Sequence, residues 1–385
     1  MIRQIFIVSA LNFRSLRQRL WQSMVIVVGL AATIGVLLSM DSLSEGRLQG
    51  YLKAGDPGRA IVVSTGANSE PGSTITRDMA KLISVAPGIA KDVDGSPLAD
   101  PGINATLPVV RNDGSAGNTT MRGVGPKALK VRPEIKIVAG RMFQPGKREM
   151  IVGAAAQAHY RDMSIGKTVA MPDGEWPIVG IYKSGDVLEG QVLGDVEMVM
   201  AATHKRNYNS VLVRLPSLGA FSTFKAAITS NPALAVDVVR HSDWYQKFAE
   251  GFSGFLTAIA YVIGAIMAVG ALFGCVNTMY AAVSTRGQEI ATLRALGFGA
   301  FPVAVSVMLE AILLSVAGAL VGGGIAWLLF DGKEQVFGNN VYNLTISPEG
   351  IGLGIIWACV VALLGGLLPS IRAARRPVID ALRAT

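Results

Sequence analysis

The sequence predicts an α-helical integral membrane protein with four transmembrane helices and a large extracytoplasmic α+β domain inserted between helices 1 and 2. Long uncharged runs are the first observation. No Asp, Glu, Lys or Arg lies between Glu250 and Arg286, and residues 298–330 hold only Glu310. About 20 apolar residues, each rising about 1.5 Å, cross a bilayer. The second is a change of composition over residues 41–250, where Gly, Pro, Asp, Asn and Ser punctuate short β-branched runs. The third is overall balance: 51% of the 385 residues are hydrophobic and 16% are charged, mean hydropathy is +0.43, and soluble chains carry about 25% charge.

Taken in order, residues 1–20 carry Arg3, Arg14, Arg17 and Arg19, no acid, and apolar residues at helical spacing. They predict a cytoplasmic amphipathic helix lying on the membrane surface. Residues 21–40 form transmembrane helix 1. A signal peptide fails as a reading, because the basic region is too long and no small-x-small cleavage site precedes Asp41 and Glu45. Residues 41–250 form the outer domain. Strands are predicted at 60–64, 106–110, 135–138, 150–152, 177–181, 196–200 and 210–215, with hairpin turns at Asp113-Gly114 and Asp173-Gly174. Helices are predicted at 76–85, 221–230 and 243–255. Residues 251–284 form helix 2, too long for the bilayer alone and so extended as a stalk. A cytoplasmic loop or helix at 285–300, helix 3 at 301–330, an outer loop at 331–349, helix 4 at 350–370 and a cytoplasmic tail at 371–385 complete the chain.

The formal charge of +8 sits beside the hydrophobic spans, which indicates membrane orientation and not nucleic acid. The basic leader, the 285–297 island and the basic tail share one side, while Asp41, Glu45, Asp331, Glu334 and Glu349 flank the other. The positive-inside rule therefore places both termini in the cytoplasm. Cys275 and Cys359 lie in apolar spans without metal-ligand spacing, so no metal site is expected.

The island reads Thr-Arg-Gly-Gln-Glu-Ile-Ala-Thr-Leu-Arg-Ala-Leu-Gly over residues 285–297. Ile290, Leu293 and Leu296 recur every three residues, and Gly297 suits a helix C-terminus. A short helix here would offer Arg286, Glu289 and Arg294 to a cytoplasmic partner. A plain turn obeying the positive-inside rule would also be basic, although Glu289 adds nothing to orientation. Glu310 is the one acid well inside a span; a structural or force-transmitting pair is preferred to a proton site. Gly270 with Gly274, and Gly318 with Gly322, have the four-residue spacing that lets helices approach, though glycine is common in membrane helices generally. Trp244, Tyr245 and Phe248 suit an interfacial aromatic belt.

Catalytic patterns fail on inspection. Gly166-Lys167-Thr168 ends like a phosphate loop, but Arg161 occupies the position of its first glycine. Gly123-x-Gly125-x-x-Ala128 lacks a βαβ context, and His159, His204 and His241 are scattered. No catalytic residue is assigned, and the chain is read as no enzyme itself.

These features together resemble the MacB/FtsX-like permeases of type VII ABC transporters, with the four-span layout of LolC and LolE. Arg286, Glu289, Ile290, Leu293, Arg294, Ala295, Leu296 and Gly297 are similar to the family's Thr-Arg-x-x-Glu-Ile-Gly-x-Leu-Arg-Ala-x-Gly. Glu310 with Gly318 and Gly322 resembles its start of span three. Pro369, Ala373, Ala374, Pro377, Ala381, Leu382 and Arg383 resemble its C-terminal ending, and Gly140-Arg141-x-Phe143 with Val152-Gly153 resembles a stretch of its outer domain. Ala291, Phe298 and Arg376 depart from the pattern. The resemblance implies a permease subunit that works by mechanotransmission for a lipophilic or periplasmic substrate. A cytoplasmic P-loop ATPase, separate because this chain has no P-loop, would dock on the island and carry the ATP and Mg. The chain itself would bind no cofactor. Further expected partners are a second permease chain, with a homodimer preferred to a heterodimer, a periplasmic adaptor or substrate carrier, and membrane lipid. The alternative functions are an FtsX-like regulator that activates a cell-wall hydrolase, or a membrane sensor or scaffold. The expected location is the bacterial inner membrane.

Overall fold

The computed structural model describes residues 20–285, 287–296, 298–337 and 340–375. The expected leader helix at 1–20 and most of the tail lie outside them. In chain order the elements are α1 (Leu20–Ala54), β1 (Arg59–Ser64), α2 (Arg77–Ser84), β2 (Ala99–Val110), β3 (Ala116–Val124), α3 (Ala128–Val131), β4 (Lys136–Gly140), β5 (Met150–Gly153), α4 (Ala154–His159), β6 (Thr168–Met171), β7 (Gly174–Lys183), β8 (Val192–Asp195), α5 (Val196–Ala202), β9 (Ser210–Arg214), α6 (Ala220–Thr229), β10 (Val236–Arg240), α7 (His241–Thr285), α8 (Gly287–Ala295), α9 (Ala300–Phe330), β11 (Glu334–Phe337), β12 (Asn340–Asn343) and α10 (Pro348–Arg375). The chain divides into a helical unit, residues 1–45, 254–333 and 344–385, and an outer unit, residues 46–253 and 334–343.

Among the described residues four helices are long and apolar enough to cross a membrane, within α1, α7, α9 and α10. Their surfaces differ in cover: 44% of the most apolar window of α9 is buried against the chain, but only 11% of that of α7. Phe255, Tyr261, Ile266, Val269 and Phe273 of α7 are exposed. Such a face is stable in lipid or against another chain, and not in water. Gly318 and Gly322 let α9 close on α1, since a Cβ there would stand 2.8 Å from the Val27 carbonyl oxygen and 2.3 Å from that of Ala31. Two apolar clusters fill the unit, one around Leu30, Cys275, Val307 and Ala362, the other around Ile34, Leu38, Ala319 and Ala358. Leu30, Leu37, Gly264, Trp357 and their neighbours on α1, α7 and α10 line an apolar cavity of about 140 Å³.

The outer unit is built on one mixed sheet in the order β10-β1-β9-β2-β3-β8-β5-β7-β4, with β6 on β7. Strand β2 joins two lobes: residues 99–102 pair with β9, and residues 103–110 pair with β3. Its second half alternates, with Leu107 and Val109 buried and Pro108 and Val110 exposed, as a strand with one covered face must. In the first lobe α2 and α6 cover the sheet through Ile83, Phe224 and Ile228. In the second, Met121, Trp176, Val192 and Met200 form the core. The Asp113-Gly114 and Asp173-Gly174 turns close β2–β3 and β6–β7 as expected, both glycines having positive φ.

One segment departs from expectation. Residues 196–200 form helix α5, not a strand. Asp195 ends β8, and its Oδ1 accepts the N–H of Glu197 and of Met198, both at 3.1 Å, so the side chain starts a helix where β-branched composition suggests a strand. The helices also overrun the expected spans: α1 continues to Ala54 and α7 begins at His241.

Candidate coupling site

The island forms α8, with its two faces sharply different. Ile290, 6% exposed, packs with Val283 of α7, Val303 and Val307 of α9 and Ala373 of α10, and Ala291 is buried beside it at 3%. Gln288, Glu289, Thr292, Ala295 and Leu296 are exposed, Leu296 at 72%. Arg294 turns back: its Nη1 donates to the Ala374 carbonyl at 3.0 Å, in the last turn of α10, where a cation complements the helix dipole. Arg294 thus helps attach the island to the helix ends, and Glu289 and Leu296 form its outward face. Ala291, where the resembled pattern has glycine, is buried without disrupting α8. Arg286, Gly297 and the side chain of Leu293 lie outside the described residues.

Glu310 is buried in α9, 7% exposed, one turn from Val307 in the cluster that holds Ile290. The two glycine pairs part company. Gly318 and Gly322 meet α1, whereas a Cβ at Gly270 or Gly274 would have nothing within 4 Å. The catalytic look-alikes also resolve into packing: a Cβ at Gly123 would stand 2.6 Å from Ile103 Cγ2, and one at Gly125 2.8 Å from Asp100 Oδ1. Among the described residues no group of three or more His, Cys, Asp or Glu could hold a metal ion. The Gly140-to-Gly153 stretch is architectural. Arg141 clamps Glu149 through two bonds of 2.7 and 2.8 Å, and this pairing holds the Glu149 carboxyl down to about 2.

A second constellation, in the outer unit, is one that sequence reasoning missed. Arg47 of α1 is 8% exposed and lies over the rings of Tyr51, Tyr342 and Phe248, 5.2, 5.5 and 5.7 Å from their centres. Its Nη1 donates to the Tyr342 hydroxyl at 3.2 Å. From here hydrogen bonds run inward. Asn340 Nδ2 donates to the Tyr51 hydroxyl at 3.3 Å, Gln191 Nε2 to Asn340 Oδ1 at 3.0 Å, and Arg122 Nε to Gln191 Oε1 at 3.4 Å. Arg122 Nη1 then donates to Glu70 Oε2 at 2.9 Å, which also accepts from Asn104 and Ser210. Burial alone would push the Glu70 carboxyl up; the Arg122 guanidinium reverses this and holds it below the usual range. The chain of contacts joins α1, α7 and the β11–β12 hairpin to strand β3. Trp244 and Tyr245, expected in an interfacial belt, are 9% and 4% exposed and belong to this junction's apolar cluster with Tyr51, Val131 and Tyr342. The available signals were the i, i+4 spacing of Arg47 and Tyr51 on one helix face and the same-face spacing of Asn340 and Tyr342 on a strand.

The arrangement holds no catalytic constellation among the described residues; it ties helix ends to one another and to a sheet. It defines a class: a polytopic membrane protein whose apolar helices carry an inserted α/β domain. The MacB-like periplasmic core domain family matches residues 23–231, more than half of the chain, and the FtsX-like permease C-terminal family matches residues 261–378. The chain belongs to the MacB/FtsX-like family of ABC transporter permeases. It is 23% identical over 285 residues to the ABC transporter permease YknZ of Bacillus subtilis (strain 168), covering 69% of this chain and 70% of that protein. It is also 23% identical over 385 residues to the macrolide export ATP-binding/permease protein MacB of Neisseria meningitidis serogroup A, covering 93% of this chain and 57% of that protein. The chain therefore spans little more than half the length of this MacB relative. Among solved structures, the extracellular domain of YknZ from Gram-positive bacteria is similar at 14% identity and TM-score 0.38, over 47% of this chain and 99% of that domain. The periplasmic region of MacB from Actinobacillus actinomycetemcomitans is similar at 13% identity and TM-score 0.38, over 50% of this chain and 92% of that region. The protein is thus a permease component of the bacterial inner membrane.

Proposed function

We propose that the chain couples ATP hydrolysis by a cytoplasmic P-loop ATPase to movement of its outer domain, and so exports or extracts a lipophilic or periplasmic substrate. The observation that carries this reading is α8. Ile290 anchors one face on three spanning helices, and Leu296, 72% exposed, lies on the other. A push on α8 reaches α7 through Val283 and α10 through Ala373 and the Arg294 bond to Ala374. Helix α7 is 45 residues long, roughly 68 Å at its usual rise against a hydrocarbon core of about 30 Å, so it can carry a displacement beyond the membrane. The Arg47–Tyr51–Tyr342 junction supports the receiving end, because it ties α1, α7 and the hairpin to the sheet. ATP and Mg belong to the ATPase. The uncovered α7 face around Gly270 and Gly274 is proposed to meet a second permease chain, with membrane lipid over the rest and a periplasmic adaptor or carrier on the outer domain.

The test is co-purification from native membranes in a mild detergent, beside Glu289→Lys and Leu296→Asp variants. Recovery of a P-loop ATPase with the native chain, and its loss with both variants at unchanged permease yield, is the expected result. Full retention of the ATPase by both variants would reduce α8 to a connecting turn.

A further inference from the structure

The connection from β1 to α2 runs over the surface of the outer unit, and one of its side chains reaches inside. Of residues 65–72 only Glu70 is buried, 6% exposed, while Thr65, Gly66, Asn68, Pro71 and Gly72 face solvent. Elsewhere the loop is held by the first lobe. The Gly66 N–H donates to Asp237 Oδ2 at 2.9 Å, and the Pro71 carbonyl accepts from Asn209 Nδ2 at 3.5 Å.

Glu70 enters where β2 passes from one lobe to the other. Gly102, the last residue of β2 paired with β9, stands opposite Ser210, and Asn104 is paired with Arg122 of β3. Positions 102 and 104 lie on one face of the strand. Ser210, Asn104 and Arg122 therefore gather there, and all three donate to Glu70 Oε2, at 3.2, 3.1 and 2.9 Å. One carboxylate oxygen is thus bonded to both lobes. Burial alone raises a carboxyl, but the Arg122 guanidinium holds this one below the usual range, so the group that enters is charged.

The bonds beyond Arg122 have a direction that starts at Glu70. A guanidinium only donates. Gln191 Oε1 accepts from Arg122 Nε, which leaves Gln191 Nε2 to donate to Asn340 Oδ1 and Asn340 Nδ2 to donate to the Tyr51 hydroxyl. Asn340 belongs to β12, whose backbone lies against the turn before Gln191: a Cβ at Gly190 would stand 2.7 Å from the Val341 nitrogen. With Glu70 seated, Arg122 presents Nε to Gln191 and each later amide is fixed in one orientation. Without Glu70 a buried guanidinium has lost its carboxylate, which is strongly unfavourable unless the group turns to other acceptors. Gln191 is an acceptor already in reach.

We propose that residues 65–72 form a release strap. Glu70, as a positioning residue, bolts the two lobes together and holds the β11–β12 hairpin on the outer unit through Arg122, Gln191 and Asn340, so that lifting the loop frees the hairpin. The hairpin is the link between α9 and α10 in the chain, and the strap gives a contact made on an exposed loop an effect on that link. The inference rests on the outer unit alone and is independent of what drives the chain.

The experiment is amide exchange of the full chain in detergent, read by mass spectrometry, on the native protein, Glu70→Gln, Gln191→Leu and the double variant. Glu70→Gln keeps the size of the side chain and removes its charge. It should speed exchange in the hairpin about tenfold, the effect of one hydrogen bond to a charged group, and leave α6 in the first lobe unchanged. In the Gln191→Leu background the same substitution should still speed exchange where β2 meets β3 but add nothing in the hairpin. If Glu70→Gln does not fold, Glu70→Asp, which keeps the charge and withdraws it by one methylene, carries the same comparison. Hairpin exchange unchanged in the Glu70 variant, equal acceleration of α6 and the hairpin, or an undiminished effect in the Gln191→Leu background would each mean that Glu70 only stabilises the sheet, and each overturns the proposal.

Discussion

Asp100 and His241 load the outer unit in opposite directions. Asp100 is 4% exposed, and burial raises its pKa from 3.8 to about 7. The folded state then holds a proton that the unfolded state releases, so stability is fully present below about pH 4 and is lost as pH rises to about 7, by at most about 4 kcal/mol. His241 is depressed well below 6.5; the unfolded chain gains its proton first, and stability falls as pH drops below 6.5. Between about pH 5 and 6.5 the two slopes cancel. Asp100→Asn removes this opposing carboxyl, so the protection of β2 and β3 amides against exchange should rise more steeply with pH across that window, by up to about 1.4 kcal/mol per pH unit. An unchanged profile would mean that Asp100 is ionised throughout. The glycines give a second residue-level expectation. Gly322→Val drives a Cβ into the backbone of Ala31 and should cost about 2–4 kcal/mol, within the range for overpacking and displaced helices. A Cβ at Gly270 meets nothing in its own chain, and the unfolding midpoint of the Gly270→Val monomer in detergent should match that of the native monomer.

At the scale of elements, α8 and α5 show what composition conveys and what it hides. The island was legible as a helix from Ile290 and the charge pattern. The inward turn of Arg294 was not, because it depends on the end of α10, some 80 positions away. Ile290→Asp would place an unpaired carboxylate among Val283, Val303 and Ala373 and should destabilise the helical unit by about 3 kcal/mol or more, whereas Leu296→Asp, at a position 72% exposed, should leave its unfolding unchanged and act on docking alone. Thermal unfolding of the two variants in detergent separates packing from binding. The α5 segment read as a strand because Val196, Val199 and Met200 suit one, and only the Asp195 cap decides otherwise. Asp195→Ala should cost about 1 kcal/mol, measured as faster amide exchange over α5. The Arg47 cage was invisible for the same reason as the Arg294 bond. Arg47→Leu keeps the bulk but removes the bond to Tyr342 and the cation over three rings, and should speed exchange in the β11–β12 hairpin roughly tenfold or more.

For the whole molecule, orientation is the property that the flanking charges predict most directly. Val93 is fully exposed in the outer unit, and Leu296 is 72% exposed on α8. Val93→Cys should react with a membrane-impermeant maleimide in intact spheroplasts, and Leu296→Cys only after permeabilisation, in a background with Cys275 and Cys359 replaced by serine or alanine. Reaction of Leu296→Cys from outside, with Val93→Cys protected until permeabilisation, would reverse the expected topology.

The sequence by itself determined the spans, the inserted domain, most of its strands and the island, because helix-length apolar runs, period-two alternation and capping residues act over a few positions. It also carried the family resemblance. Only the tertiary structure decided that Gly318 and Gly322 engage α1 while Gly270 and Gly274 meet nothing, that Arg294 braces α10, and that Arg47, Tyr342, Gln191, Arg122 and Glu70 form one connected path. Those outcomes depend on which buried polar groups and backbones come together from distant parts of the chain. The energy that selects them, desolvation balanced by hydrogen bonds and close packing, exists only once the chain has folded.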